Sequence, residues 1–389
     1  NTIGDTYLHL GEAHLAIAQH QRAQSLRESK LGSIHINTLA SRNGLASAYQ
    51  AAGQLDDALS LAEETLQMAE ANLPSDHAIR LTSMNNVALT YQILGRLDEA
   101  VPLFEETLRL RTAKFGPDNP KTLASMNNLA VGYQAAGRLD EALPILERAR
   151  TLTEDSLGIE HPDTIGSMIN LALTYQALGR GDEAILLLEQ SRDLSKAQLG
   201  EDHPNTLVSM ASLAASYHAA NRSKEALAMF EETLKLNTEH LGPNHPNTLT
   251  AMNNLGAAYH GMGQMNEAIS VLEDALKLTK QLMGPNHPST LTAMGNLAFL
   301  YQSNGRLDEA LPLLEQTLTL RKETLGPEHP STLNSQNNLA RIYSATGRLN
   351  DAVLLHEQTL AISKAKLGPK HPSTLTSMNN LGRTLQTAG

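Results

Sequence analysis

All nine tyrosines of this chain occupy one position of a 42-residue repeat, and this period restricts the fold more than any other feature. They are Tyr7, Tyr49, Tyr91, Tyr133, Tyr175, Tyr217, Tyr259, Tyr301 and Tyr343. Glycines follow a second row with the same period: Gly32, Gly116, Gly158, Gly200, Gly242, Gly284, Gly326 and Gly368, with Pro74 in the one missing place. Because periods of about 20–50 residues are typical of repeat architectures, we expect one repeated helical or strand unit instead of separate globular domains.

Each repeat is predicted to contain two helices, which we call helix A and helix B. In residues 116–158, Gly116 and Pro117 end the preceding helix, and Pro120 suits the first turn of the next one. Helix A is predicted over Lys121–Ala135 and helix B over Leu139–Ser156, separated by Gly137. Apolar residues recur at intervals of three and four in both, which predicts amphipathic helices. The stripes are Leu123, Met126, Leu129, Ala130 and Tyr133 in helix A, and Ala142, Ile145, Leu146, Ala149 and Leu152 in helix B.

Composition agrees with an all-helical chain and excludes several classes of partner. Aromatic residues are only 3% of the sequence, and segments rich in β-branched and aromatic residues, as strands require, are missing. The 30 basic residues are outnumbered by 41 acidic ones, giving a net charge of −11. This balance argues against nucleic acid and anionic membrane surfaces as partners. No apolar run is long enough to span a bilayer, and the absence of cysteine excludes disulfides and thiolate metal sites.

The repeat resembles the tetratricopeptide repeat. That family places a large residue, Leu-Gly and Tyr in its first helix, and Ala followed by an aromatic in its second. The matching residues here are Met126, Leu129, Ala130, Tyr133, Ala142 and Leu146, with Phe104 in the aromatic place one repeat earlier. The 42-residue length and the "HPxTL…NNLA" pattern are most similar to the repeats of kinesin light chain and of bacterial and fungal signalling proteins, in which such arrays are often fused to a kinase or nucleotide-switch domain.

The resemblance implies an all-α, right-handed superhelical solenoid over residues 1–389, with about nine repeats and about nineteen helices. It also implies a concave face lined by the A helices. The first helix, Asn1 to Leu10, and the last, about Ser373 to Thr387, are both A helices. We therefore expect uncapped apolar surface at both ends, and end-to-end self-association through it. The chain is interpreted as a fragment of a longer protein, with a cytoplasmic location.

Asparagine recurs inside helix A although it is a poor helix former, so a specific role is indicated. The second residue of the "NN" pair gives the series Asn86, Asn128, Asn170, Asn254, Asn296, Asn338 and Asn380. Six residues later stand Gln92, Gln134, Gln176 and Gln302, as well as Gln50 and Gln386. In tetratricopeptide arrays this flank lines the inner groove. The first asparagine of each pair is less regular, which we interpret as a less demanding position.

Two interpretations of these amides remain open. In the first, they form a ladder that binds the backbone of an extended protein or peptide segment, because an amide can donate and accept at once. In the second, they bond from one repeat to the next and stiffen the stack, which would then be a structural spacer or self-associating module. Arg341 and Arg383 are the only cations expected on the inner flank, and Leu89, Val131, Leu173 and Phe299 are expected to form shallow apolar pockets between the amides.

The histidines invite a metal or catalytic interpretation, which their spacing opposes. A set recurs at one turn position: His77, His161, His203, His245, His287, His329 and His371. Neighbouring layers keep these side chains about 10 Å apart, whereas zinc requires ligands within about 2 Å of one ion. We expect them to cap helix A or to pack in the turn. No HExxH and no Ser-His-Asp arrangement is present, so neither an enzyme nor a cofactor is predicted.

Overall fold

The computed structural model describes residues 2–366, 368–369 and 371–388, and its regular structure there consists of nineteen α-helices without a strand. Asn1, the predicted start of the first helix, lies outside this part. The A helices are α1 (Thr2–His9), α3 (Ile36–Ala51), α5 (Ala78–Ile93), α7 (Pro120–Ala135), α9 (Pro162–Ala177), α11 (Pro204–Ala219), α13 (Pro246–Gly261), α15 (Pro288–Ser303), α17 (Pro330–Ala345) and α19 (Pro372–Ala388).

The B helices alternate with the A helices along the chain. They are α2 (Ala13–Leu31), α4 (Leu55–Asn72), α6 (Leu97–Phe115), α8 (Leu139–Leu157), α10 (Gly181–Leu199), α12 (Ser223–Leu241), α14 (Met265–Met283), α16 (Leu307–Thr324) and α18 (Leu349–Lys366). The bounds predicted for α7 and α8 each agree within one residue. The helical solenoid predicted from the period is confirmed.

The helices form two units, residues 1–220 with 235–246 and residues 221–234 with 247–389. In the first unit each helix packs against the next, and α1, α3, α5, α7, α9 and α11 also pack successively against one another. In the second unit α15 packs against α17, and α17 against α19. No two B helices make a comparable contact in the described part of the chain. Each unit therefore bends with its A helices on the inner side.

The predicted apolar stripes form the core. Leu123, Met126 and Leu129 of α7 are buried, as are Ala142 and Leu146 of α8. Burying side chains of this size stabilises the fold by about 1.5–3 kcal/mol each for the larger ones. Ala142 has no exposed surface, and alanine stands at the equivalent place of every other B helix from α2 to α18, which lets the A helix approach closely.

The turn from helix A to helix B combines a left-handed glycine with an arginine. Gly137 has φ +71°, a conformation that favours glycine, and it ends α7. The guanidinium of Arg138 then lies 4.4 Å from the centre of the Tyr133 ring and pairs with Glu141 in the first turn of α8. The Tyr133 hydroxyl donates to Glu105 of the preceding B helix over 2.7 Å. Burial and this bond raise the pKa of Tyr133 to about 12, so the hydroxyl keeps its proton and the bond persists.

The turn from helix B to helix A uses the recurrent histidine as a cap, as expected. The Nδ1 atom of His161 accepts from the Asp163 N–H over 3.2 Å at the start of α9. The same bond is made by His35, His77, His203, His287, His329 and His371, with distances of 3.0–3.2 Å for this group. At α7 the position is Asn119, whose Oδ1 accepts from Lys121. A side chain here satisfies an N–H that the helix leaves unpaired.

Two buried histidines depart from the repeat. His20 and His356 stand at the place held by Phe104 and Leu146 in other B helices, and neither has exposed surface. Gly4 and Gly44 leave room for the His20 ring, since a Cβ at either would lie within 2.7 Å of it. His356 Nδ1 lies 3.1 Å from Asn337 Oδ1, while its Nε2 is buried without a hydrogen-bond partner in the described part of the chain.

The caps can be tested by substitution at α9. Replacing His161 with Ala removes the acceptor for the Asp163 N–H, and we expect about 1 kcal/mol of local destabilisation. Hydrogen exchange of the Asp163 amide measures this change. His161→Asn is the matched control, because Asn119 already performs the same role at α7. Equal exchange in all three proteins would show that the cap contributes no stability.

The buried His356 predicts acid sensitivity. Burial lowers its pKa below the ordinary value of 6.5, and the nearby Arg341 lowers it further. Because the folded state binds the proton less readily than the unfolded state, this group's contribution is complete above pH 6.5 and is lost as the pH falls below it. His356→Leu should abolish this acid-dependent part of the loss of stability. Melting temperatures of both proteins across this range measure the difference, and parallel curves would contradict the prediction.

Candidate functional site

The recurrent amides of the A helices lie on the inner side of each unit's bend, where neighbouring A helices meet. We call these side chains the amide face: Asn86, Asn128, Asn170, Asn254, Asn296, Asn338, Asn380, Gln92, Gln134, Gln176 and Gln302. Asn86 is buried, Asn296 is exposed, and the other members of the amide face are half-buried. The face therefore combines partial burial with access from solvent.

Three asparagines of the amide face bond to the preceding A helix, and this explains why asparagines occur in pairs. Asn128 Nδ2 donates to Asn85 Oδ1 over 2.8 Å, and Asn296 Nδ2 donates to Asn253 Oδ1 over 3.3 Å. Asn86 donates to the backbone carbonyl of Asn43. The partners are 43 residues apart, so the second asparagine of one repeat reaches the first asparagine of the repeat before it.

The first asparagine is accordingly more constrained than its irregular occurrence suggested. Asn43 and Asn337 are buried, and their Nδ2 atoms donate to Ser83 and Ser377 of the next repeat. Asn337 also contacts His356 through its Oδ1. The interpretation of this position as less demanding is wrong at Asn337, where a buried amide without partners would cost about 1–3 kcal/mol.

Some glutamines of the amide face, and Gln50 at the same position of α3, also bond from one repeat to the next. Gln134 Nε2 donates to Thr174 Oγ1 over 2.5 Å, and Gln50 Nε2 donates to Thr90 Oγ1 over 2.6 Å. Gln176 uses its oxygen instead, which accepts from the hydroxyl of Ser216. In each pair the hydroxyl stands 40 residues after the glutamine. These bonds support the architectural interpretation for these glutamines.

Gln92 and Gln302 lack this bond because the residue 40 positions later has no hydroxyl. For Gln92 that residue is Gly132, where a Cβ would come within 3.1 Å of the Phe104 ring. For Gln302 it is Ile342, which is fully buried. Neither glutamine side chain has a hydrogen-bond partner among the described residues, and Gln92 Oε1 is buried. The side chains of Asn170 and Asn338 are likewise without a partner in the described part of the chain.

The second unit adds aromatic and cationic groups to the inner side. The rings of His260 and Phe299 meet edge to face at 5.2 Å, and the Arg341 guanidinium lies 5.9 Å from the Phe299 ring centre. Arg341 and Arg383 are exposed, and neither forms an ion pair with a described residue. Most arginines of the outer turns, such as Arg138 and Arg180, are paired with glutamate. The two predicted inner cations are therefore available to solvent.

Other kinds of site receive no structural support in the described residues. No group of three or more histidine, aspartate or glutamate side chains there is arranged to hold a metal ion. The described helices include none that combines the length and apolarity needed to cross a bilayer.

Comparison with known proteins identifies the repeat. The sequence profile of the tetratricopeptide repeat matches residues 1–71, 80–155, 127–197, 163–239, 225–281, 247–323 and 289–365. None of the curated proteins compared matches the chain.

Several solved structures are similar to this chain. Nearly identical TPR-like repeats assigned to a kinesin light chain of Podosopora anserina share 34% identity over 52% of this chain and 95% of theirs, with a TM-score of 0.45. BtubC (BKLC) of P. vanneervenii shares 20% identity over 60% and 92%, with a TM-score of 0.46. A Rap protein complexed with Competence and Sporulation Factor shares 13% over 90% and 98%, with a TM-score of 0.54, and supports the helical-repeat fold alone.

The two classes of glutamine predict different effects on stability. Gln134→Ala removes a bond between repeats and should lower the free energy of unfolding by about 1 kcal/mol. Gln92→Ala removes no such bond, and we expect a change within about 0.5 kcal/mol. Chemical denaturation followed by circular dichroism compares the two variants. An equal loss in both would show that the cross-repeat bond is not what stabilises the stack.

Proposed function

The chain belongs to the tetratricopeptide repeat family, and we propose that it is a non-catalytic scaffold whose amide face binds an extended segment of another protein. Tetratricopeptide repeats are typical protein-interaction scaffolds, and this fold is the general support for the proposal. The observation that carries it is the incomplete use of the amides: the side-chain amides of Gln92, Gln302, Asn170 and Asn338 have no hydrogen-bond partner among the described residues. A stack that used its amides only for architecture would give each of them one.

The chemistry of the face suits a protein backbone. Each backbone residue presents both an N–H and a C=O group, and a carboxamide can satisfy either. The amide side chains are uncharged, although the whole chain carries a net charge of −11. A neutral segment of variable sequence could therefore replace its hydrogen bonds to water with hydrogen bonds to these amides, so its desolvation on this face would cost little.

A second candidate function is a structural spacer or self-associating module. It is favoured by the cross-repeat bonds of Asn86, Asn128 and Gln134, and by exposed apolar side chains on the first and last helices. Ile3 of α1 is 63% exposed, and Leu375, Met378 and Leu385 of α19 are 43–48% exposed. In this alternative a second copy would cover these side chains end to end.

Capture of peptides from a random displayed library tests the scaffold. We expect the purified chain to capture a subset of peptides, and the double variant Gln92→Ala with Asn170→Ala, both in the first unit, to bind them about tenfold more weakly, at two hydrogen bonds of about 0.5–1.5 kcal/mol each. Its melting temperature should stay unchanged, because neither side chain bonds within the described fold.

The control is the variant Gln50→Ala with Gln134→Ala, which should lower the melting temperature and weaken capture less. Failure of the wild-type chain to capture any peptide would count against the scaffold. Together with a light-scattering mass above that of one chain, it would favour the self-associating module.

A further inference from the structure

An apolar row accompanies the amides in the first unit. Leu89, Val131 and Leu173 occupy the same position of α5, α7 and α9, so they are spaced one repeat apart. Leu89 and Val131 are half-buried, and Leu173 is 39% exposed. Ser47 and Ala215 stand at this position in α3 and α11, so the row is limited to three consecutive repeats.

Each side chain of the row is flanked by amides of its own helix. Leu89 lies three residues after Asn86 and three before Gln92, and the same interval recurs around Val131 and Leu173. Residues three apart are neighbours on a helix surface. Each of the three helices therefore carries an asparagine, an apolar side chain and a glutamine in one line, with no charged group among them; Asn86 is the buried member of the set.

The spacing of the row discriminates between ligand conformations. Neighbouring packed helices lie about 8–10 Å apart. A β-strand returns a side chain to the same face every second residue, about 6.6 Å, and its third residue points the opposite way. A polyproline II helix has three residues per turn and rises about 3.1 Å per residue, so side chains at every third position lie on one face about 9.3 Å apart. Only the polyproline II spacing falls within the distance between neighbouring packed helices.

The flanking amides suit the same conformation. A polyproline II segment has no internal hydrogen bonds, so its carbonyl groups need external donors. The amide of Gln92 has no partner in the described part of the chain and can supply one. A charged ligand would lose its hydration on this line of uncharged groups without gaining an ion pair.

We propose that the amide face of the first unit binds a neutral polyproline II segment that carries an apolar side chain at every third position. The three apolar side chains would contact Leu89, Val131 and Leu173, and the amides would bond to the backbone between them. This inference rests on the proposed scaffold function and adds the conformation and the sequence period of its ligand.

Two synthetic peptides of equal length, labelled with a fluorophore, test the period. One repeats Leu-Pro-Pro and the other repeats Leu-Pro, so both favour polyproline II and differ in the spacing of leucine. Fluorescence anisotropy should show that the Leu-Pro-Pro peptide binds at least about tenfold more tightly, because the Leu-Pro peptide cannot place leucines against Leu89, Val131 and Leu173 in turn. Equal affinity, or a preference for the second peptide, would overturn the inference.

Variants of two exposed leucines locate the binding surface. Leu173→Asp should weaken binding of the Leu-Pro-Pro peptide by about tenfold or more. Leu186→Asp is the matched control, since Leu186 is 69% exposed on α10, a B helix on the other side of the unit, and this variant should bind within about twofold of the wild type. An unchanged affinity of the Leu173→Asp variant for this peptide would contradict the placement of the ligand against Leu173.

The library capture described above separates this inference from the scaffold function. Captured peptides without an apolar residue at every third position would overturn the polyproline II ligand and leave the scaffold intact. A chain that captures no library peptide and binds neither synthetic peptide would lose both proposals.

Discussion

The structure depends on one constraint: a single pair of helices in this chain cannot bury its own apolar stripe. Leu123, Met126 and Leu129 of α7 are covered only when the helices before and after it are in place. The alanine at the Ala142 position allows this close approach in every repeat. Stability is therefore a property of adjacent layers, as in other repeat proteins, and the unbroken 42-residue register follows from it.

The amides of the A helices serve this stacking and, in our proposal, ligand binding as well. A carboxamide has enough hydrogen-bonding groups for both roles, since an Asn128 that donates to Asn85 still has an acceptor oxygen. Where the partner is absent, as at Gln92 opposite Gly132, the Nε2 donor is left for a ligand, while Oε1 is buried. Because the Phe104 ring leaves little room for a side chain at Gly132, Gln92 has no hydroxyl partner in the next repeat.

Much of this structure could be predicted from the sequence because its signals are local. Gly137, Pro120 and the capping histidines fix the helix ends, and the period of three and four fixes the buried stripes. The bonds between asparagines could not be predicted in this way, because they join side chains 43 residues apart whose meeting depends on helix packing. The pairing of glutamine with a hydroxyl 40 residues later was present in the sequence, but only the packed helices reveal its meaning. The ligand and its residues on the amide face remain a proposal.

Gly295 and Ile342 stand where other repeats carry an asparagine and a hydroxyl residue, and this difference affects how firmly neighbouring A helices are joined. No side-chain hydrogen bond joins α15 directly to α17 in the described part of the chain, whereas α3 is joined to α5 through Asn86 and Gln50. At the former joint the guanidinium of Arg321 in α16 donates to the Leu291 carbonyl of α15 and to Ser331 and Ser335 of α17, so among the described residues side-chain hydrogen bonds link the two A helices only through the B helix between them. A ligand that bonds to both α15 and α17 would supply the direct link between these two A helices that their own side chains lack, and its binding would stiffen this part of the second unit.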